Sequence, residues 1–190
     1  MPQAKTLDAK ELRRVFEYVA TRAHAARNRA MVAVSFYAGL RVKEIASLYV
    51  WDVVDRDGNV RNEIRLDADQ TKGRRGRVVF VSTKLQKELA RYIAACPPKS
   101  PDHKLFYTQK RMREGFNPNS LANLFYHLYR GVGYSGVSSH SGRHTFLSTL
   151  HAKSVGIKTI MELAGHRHLS TTSRYLSVTQ DQLRAAVELI

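Results

Sequence analysis

The last third of this chain holds a histidine and an arginine three apart, His140 and Arg143. A second histidine follows a glycine at Gly165-His166, and a tyrosine follows an arginine at Arg174-Tyr175. An arginine offers a planar, two-pronged set of donors that matches a phosphate. A histidine can carry a proton near neutral pH. A phenol of pKa ~10 becomes a nucleophile once nearby cations and a base help to remove its proton. Together these groups can grip a phosphodiester and attack it without a metal. The pentacoordinate transition state gathers negative charge on its non-bridging oxygens, and the leaving oxygen needs a proton, so a second arginine and a proton donor are also required. Arg41 answers the first need. The segment Thr71 to Arg77 answers the second, with Lys72, Arg74, Arg75 and Arg77 as basic candidates.

These residues need a scaffold, and the chain can build one. It has 190 residues, 43% of them hydrophobic, enough for a single folded domain with a real core. Lysine and arginine outnumber acids 31 to 16, a net charge of +15 that points to a polyanion, most often nucleic acid. No apolar run reaches the ~18 residues of a membrane span, so the membrane is not an expected partner. Met1 to Thr6 lacks the apolar stretch of a secretory signal, and Cys96 is the only cysteine, so no disulfide can form within the chain. The expected compartment is reducing and cytoplasmic, and Cys96 reads as a small apolar residue at a helix end.

Periodicity and capping give a mainly helical α+β fold, with a small antiparallel sheet inserted among helices. Asp8 and Glu11 form a capping box for a helix carrying Leu12, Val15, Phe16 and Val19 on one face. A nearly all-apolar helix over 25–38 stops at Gly39, and Arg41 opens a short helix with Ile45 and Leu48. Residues 52–81 change character: Ile64 and Leu66 alternate with polar residues, Val78 to Val81 form a second run, and the basic glycine-containing loop lies between. Ser82 caps a helix to about Ala95, and Asn117-Pro118 opens another with Leu121, Leu124, Phe125 and Leu128 inside. Further helices are expected over about 139–153 and 157–164. A short one capped by Ser170 is expected to hold Tyr175. A last helix opens at a Thr179–Gln182 capping box and carries an apolar stripe of Leu183, Val187 and Ile190.

Each chemical residue also has a plain structural reading. Arg41 can pair with Glu44 on a helix surface. The cations of 72–77 can contact phosphates in general. His140 and His144, or His166 and His168, have spacings that metals use, but Ser141 stands where a zinc protease would place glutamate. His144 and His151 read as surface or packing residues.

Several motifs occur in register. Gly39-Leu40-Arg41-Val42-Lys43-Glu44-Ile45 resembles the first arginine motif of the tyrosine recombinases, the phage-integrase family. Thr71-Lys72-Gly73 followed by Arg77-Val78-Val79 resembles that family's lysine hairpin. His140-Ser141-Gly142-Arg143-His144-Thr145-Phe146 resembles its histidine–arginine motif, Leu163-Ala164-Gly165-His166 its second histidine motif, and Thr171-Thr172-Ser173-Arg174-Tyr175 its nucleophile motif. The resemblance runs from about Leu7 to Tyr175. It implies the catalytic-domain fold of that family and a site-specific recombinase or integrase that acts on double-stranded DNA through a 3′-phosphotyrosine intermediate. It implies that Arg41 and Arg143 clamp the scissile phosphate, Tyr175 attacks, His140 takes the tyrosine proton, Lys72 protonates the leaving 5′ oxygen and His166 binds a phosphate oxygen. Glu44 would support the site, and Arg74, Arg75 and Arg77 would contact DNA. No metal or other cofactor is implied. A homotetramer on DNA, joined through the last helix, is implied as well.

The same fold and chemistry suit two other readings, a type IB topoisomerase-like enzyme and a DNA-binding regulator with weak catalysis. Two departures stand out. Gly142 replaces a bulkier residue, often leucine, that commonly precedes the second arginine, which predicts looser packing there. The resemblance also covers a catalytic domain alone, residues 1–190, without the family's usual N-terminal DNA-clamping domain; a minimal member like the fimbrial inversion recombinases and a truncated chain both fit that.

Overall fold

A computed structural model describes residues 4–71, 75–108, 114–173, 175–176, 178 and 180–188. Two compact units divide at residue 146: Met1–Phe146 and Leu147–Ile190. Each is described by itself.

The first unit is organised around a buried helix. Helix α2 (Ala25–Ala38) is buried on nearly every side, as its almost continuous apolar composition requires. Three helices pack on it: α1 (Ala9–Ala20), α3 (Val42–Ser47) and α5 (Thr83–Ala95). The capping box of α1 is formed, since Asp8 accepts from the Glu11 backbone N–H and Glu11 from that of Asp8. Val15, Phe16 and Val19 fill its inner face. The Ser82 hydroxyl caps α5, and the Asn117 side chain caps α6 (Pro118–Gly131), with Pro118 at its first position. Helix α6 packs on α1 and α3, and a short turn of helix, α4 (Val50–Val53), packs on the sheet.

That sheet has two strands among the described residues. Strands β1 (Glu63–Leu66) and β2 (Arg77–Phe80) pair antiparallel, with Ile64 opposite Val79 and Leu66 opposite Arg77. Ile64, Leu66 and Val79 face the core, whereas Val78 and Phe80 face solvent. The architecture is therefore mainly helical with a small antiparallel sheet, as expected.

Helix α7 (Ser141–Ala152) begins in the first unit and runs into the second. The second unit continues with α8 (Ile157–Ala164), α9 (Leu169–Ser173) and α10 (Gln180–Val187). Gly165 ends α8 in the left-handed conformation, φ 59°. Two local expectations are corrected here. Ser170 lies inside α9, which starts one residue earlier, and α9 ends at Ser173, so Tyr175 sits in the following turn. His140 likewise precedes α7 instead of lying within it. Thr179 and Ile190 fall outside the described residues, so the capping box and the end of the apolar stripe do too. Among the described residues no helix is long and apolar enough to cross a membrane.

Candidate active site

In the first unit, two of the expected arginines are tied to the turn that ends α2. Gly39 caps α2 with φ 62°, a conformation open to glycine and costly for other residues. A side chain there would also strike the Phe146 ring, since a Cβ would lie 2.5 Å from it. Arg143, 3% exposed, donates from Nη1 to the Gly39 carbonyl at 2.7 Å. That carbonyl is one of those left unpaired at the end of α2, where a cation is favoured. Arg41 follows two residues later at the head of α3.

Arg41 is held by Glu44. The carboxylate accepts from the Arg41 backbone N–H and from its Nη1, both at 2.8 Å. Glu44 is fully buried and also binds Arg77, at 2.9 Å from Nη2 to Oε2 and 3.4 Å from Nε to Oε1. Burial by itself pushes the Glu44 carboxyl up. The charge and hydrogen bonds of Arg77, joined by those of Arg41, outweigh that push and hold it below the usual carboxylate range.

Arg77 is therefore placed differently from its expected position beside Arg74 and Arg75 on a DNA-facing tip. Its side chain is 9% exposed and lies on Glu44. Alternation along β2 explains this, because Arg77 shares the inward face with Val79. That signal was present in the sequence, masked by the run of basic residues before it. Arg75 is exposed. Lys72 and Arg74 lie outside the described residues. The root of their loop is nonetheless defined, since Thr71 Oγ1 donates to the Arg75 carbonyl at 2.7 Å and accepts from its backbone N–H at 3.2 Å. Lys43 Nζ donates to the Thr71 carbonyl at 3.3 Å.

His140 is exposed, with its backbone N–H on Ser138 Oγ at 3.2 Å and its carbonyl accepting from the His144 N–H that starts the helical ladder. His144 turns inward and is 8% exposed. Its Nδ1 lies 2.6 Å from the Ala4 carbonyl, which makes that nitrogen the protonated one. It is a packing residue.

The expectation of looser packing at Gly142 is overturned. A Cβ at that position would lie 2.1 Å from Ser35 Oγ, 2.8 Å from its Cβ and 3.0 Å from its carbonyl carbon. Helix α7 approaches α2 so closely that only glycine fits. This contact joins residues far apart in sequence, and no local pattern announces it.

In the second unit, His166 and Tyr175 form a pair. His166 follows the Gly165 cap and is buried, its backbone N–H bonded to the Met161 carbonyl at 3.0 Å. Its Nδ1 lies 2.8 Å from Thr172 Oγ1, itself fully buried. The imidazole stacks on the Tyr175 ring, with centroids 5.7 Å apart and planes at 20°. Tyr175 is half-buried, its backbone N–H on the Thr172 carbonyl at 2.9 Å and its carbonyl accepting from Ser148 Oγ at 3.0 Å. Thr172 thus holds both residues, a role sequence reasoning missed. Its only sign was its place inside the tyrosine motif. Among the described residues no three His, Cys, Asp or Glu side chains are grouped to hold a metal ion.

The chain is similar to known proteins in sequence and in fold. A family model described as the phage integrase family matches residues 5–182. A tyrosine recombinase of Pseudothermotoga lettingae is 32% identical over 154 residues, covering 80% of this chain and 50% of the relative. The chain spans about half the length of the curated relatives it matches. Among solved structures, the XerA recombinase superposes with a TM-score of 0.76 at 24% identity, covering 100% of this chain and 66% of that one. The Tn1549 transposon integrase bound to transposon right end DNA superposes with a TM-score of 0.78 at 16% identity, covering 100% and 67%. At these identities the likeness to solved structures establishes the fold.

Proposed function

The chain belongs to the phage integrase family, and from that premise we propose that it is a site-specific recombinase that cuts and rejoins double-stranded DNA through Tyr175. The observation that carries the reading is the bond from Arg143 to the Gly39 carbonyl, two residues before Arg41 at the head of α3. In this reading the two arginines of that turn clamp the non-bridging oxygens of one phosphate.

In this reading Tyr175 Oη attacks the scissile phosphorus and its proton passes to His140. A phosphorus–Oη bond forms as the bond to the 5′ oxygen breaks, and Lys72 protonates that leaving oxygen. The product is a 3′-phosphotyrosine and a free 5′ hydroxyl. The phosphoester keeps the energy of the broken bond, so rejoining by the reverse attack needs no ATP. His166, held by Thr172, donates to a phosphate oxygen, and Glu44 orients Arg41. Arg74 and Arg75 contact the DNA backbone. The +15 net charge supports the DNA partner, and the single cysteine suits a cytoplasmic setting. A finer likeness, to the minimal fimbrial inversion recombinases, stands on a resemblance that covers the catalytic domain.

The protein assembles as a homotetramer on DNA through α10. Leu183 and Val187 support this, being 51% and 70% exposed on a helix that leaves them uncovered in the single chain. Removal of residues 179–190 is expected to weaken synapsis more than single-strand cleavage, and equal loss of both counts against the assignment.

The deciding experiment uses a nicked suicide DNA site and a denaturing gel. The wild-type chain is expected to form a covalent adduct, and Tyr175→Phe none while still binding DNA. No wild-type adduct, or an equal adduct from Tyr175→Phe, overturns the reading.

A further inference from the structure

Two arginines share one buried carboxylate, and only Arg41 of the two has a place in the reaction proposed above. Glu44 is 0% exposed. Its Oε1 faces Arg41 Nη1 and Arg77 Nε, and its Oε2 faces the Arg41 backbone N–H and Arg77 Nη2. A carboxylate offers about four acceptor sites, so these four donors fill them. Arg77 lies side-on across both oxygens, the geometry that best fixes a carboxylate in place.

Charge explains why one arginine would not be enough. Glu44 paired with Arg41 alone is neutral, and a buried neutral pair attracts a phosphate weakly. With Arg77 added, the three groups sum to one positive charge, so Arg41 keeps its attraction for an anion while being held. A buried carboxylate with a single partner is also costly, because desolvation is then poorly compensated.

Position gives Arg77 a second task. It opens β2, pairs with Leu66 at the end of the ladder, and lies five residues past Lys72. On the other side of that loop, Thr71 is bound by Lys43. Lys43 and Glu44 are neighbours on α3, so one helix holds both sides of the loop root.

We propose that Arg77 is a positioning residue. Acting through Glu44, it sets Arg41 and anchors the root of the Lys72 loop to α3, and it makes no contribution to phosphate binding of its own. This rests on the reading of Arg41 and Lys72 as the groups that handle the scissile phosphate.

The test compares Arg77→Gln, Arg77→Lys, Glu44→Gln/Arg77→Gln and Arg75→Gln. It measures suicide-site cleavage at saturating DNA, the salt dependence of DNA binding, and thermal melting. Arg77→Gln is expected to cleave at least ~10-fold more slowly while its salt slope stays that of wild type. Arg75→Gln, which removes a proposed DNA-backbone contact, should lose ~1 from the slope. Arg77→Lys, which keeps the charge but loses the fork, should melt near wild type and cleave at an intermediate rate. The double variant should recover part of the rate lost by Arg77→Gln, because a neutral amide no longer cancels Arg41. Wild-type cleavage by Arg77→Gln or Arg77→Lys, a loss of slope in Arg77→Gln, or a double variant no faster than the single one overturns the proposal alone. Absence of an adduct from the wild-type chain overturns the recombinase reading and this proposal with it. Should Arg77→Gln fail to fold, the rate and slope of Arg77→Lys decide.

Discussion

Replacing Gly142 with alanine should destabilise the protein although alanine is the better helix former. A Cβ at 142 would meet Ser35 Oγ at 2.1 Å, Ser35 Cβ at 2.8 Å and the Ser35 carbonyl carbon at 3.0 Å. The buried hydroxyl must be pushed aside, and the other two atoms belong to the packed helix α2 and can only move with it. Overpacking of this kind costs about 1–3 kcal/mol, and contacts to backbone put it near the upper end. Relief of the glycine penalty returns about 0.5–1 kcal/mol. The net loss is about 2 kcal/mol, a fall in Tm of about 4–8 °C for a chain of this size. Circular dichroism melts would read it directly. Ser35→Ala supplies the control. Among the described residues Ser35 Oγ is buried without a hydrogen-bond partner, so its removal from the wild-type chain should be neutral or stabilising. In the Gly142→Ala background it should restore part of the lost Tm by removing the shortest contact. An unchanged or raised Tm for Gly142→Ala, or no recovery with Ser35→Ala, would refute the argument that this contact sets the approach of α7 to α2.

Thr172→Val should release the His166 ring by removing the 2.8 Å contact to Nδ1. A lost hydrogen bond of about 0.5–1.5 kcal/mol predicts cleavage ~2–12-fold slower at saturating DNA, with unchanged binding, and equal cleavage would show that another group orients the ring. Acid should weaken the fold through Glu44. Its folded-state pKa lies below the ordinary value, so its contribution is complete above the usual carboxylate range and is lost as pH falls through that range toward the folded pKa. Glu44→Gln should therefore flatten the fall in unfolding free energy below pH ~4, and a slope as steep as wild type would exclude that contribution. Glu88 adds a second term of the same sign through its paired bonds from Arg29, 2.7 and 2.8 Å long, so part of the slope should survive in Glu44→Gln and fall further in Glu44→Gln/Glu88→Gln.

Local signals carried most of the fold. The Asp8–Glu11 box, the apolar run ending at Gly39, Ser82 and Asn117-Pro118 each act within a few residues, and each helix start appears where its cap stands. The same locality made the candidate residues legible, because each motif keeps its chemical side chains within one turn or helix end. Local signals failed where neighbours compete. Arg77 stands in a basic run but follows the inward alternation of β2, and Tyr175 follows a short helix that stops before reaching it.

The sequence by itself determined the element order, the family and the chemical groups available. Only the tertiary structure decided which groups hold one another. It placed Arg77 on Glu44 across 33 positions, Arg143 on the Gly39 carbonyl across 104, and Ser35 against Gly142. Capping and periodicity depend on atoms that chain connectivity already brings close, so they can be read along a line. A buried ion pair or a helix crossing depends on which faces the core brings together, and its energy exists only after water has been excluded between them.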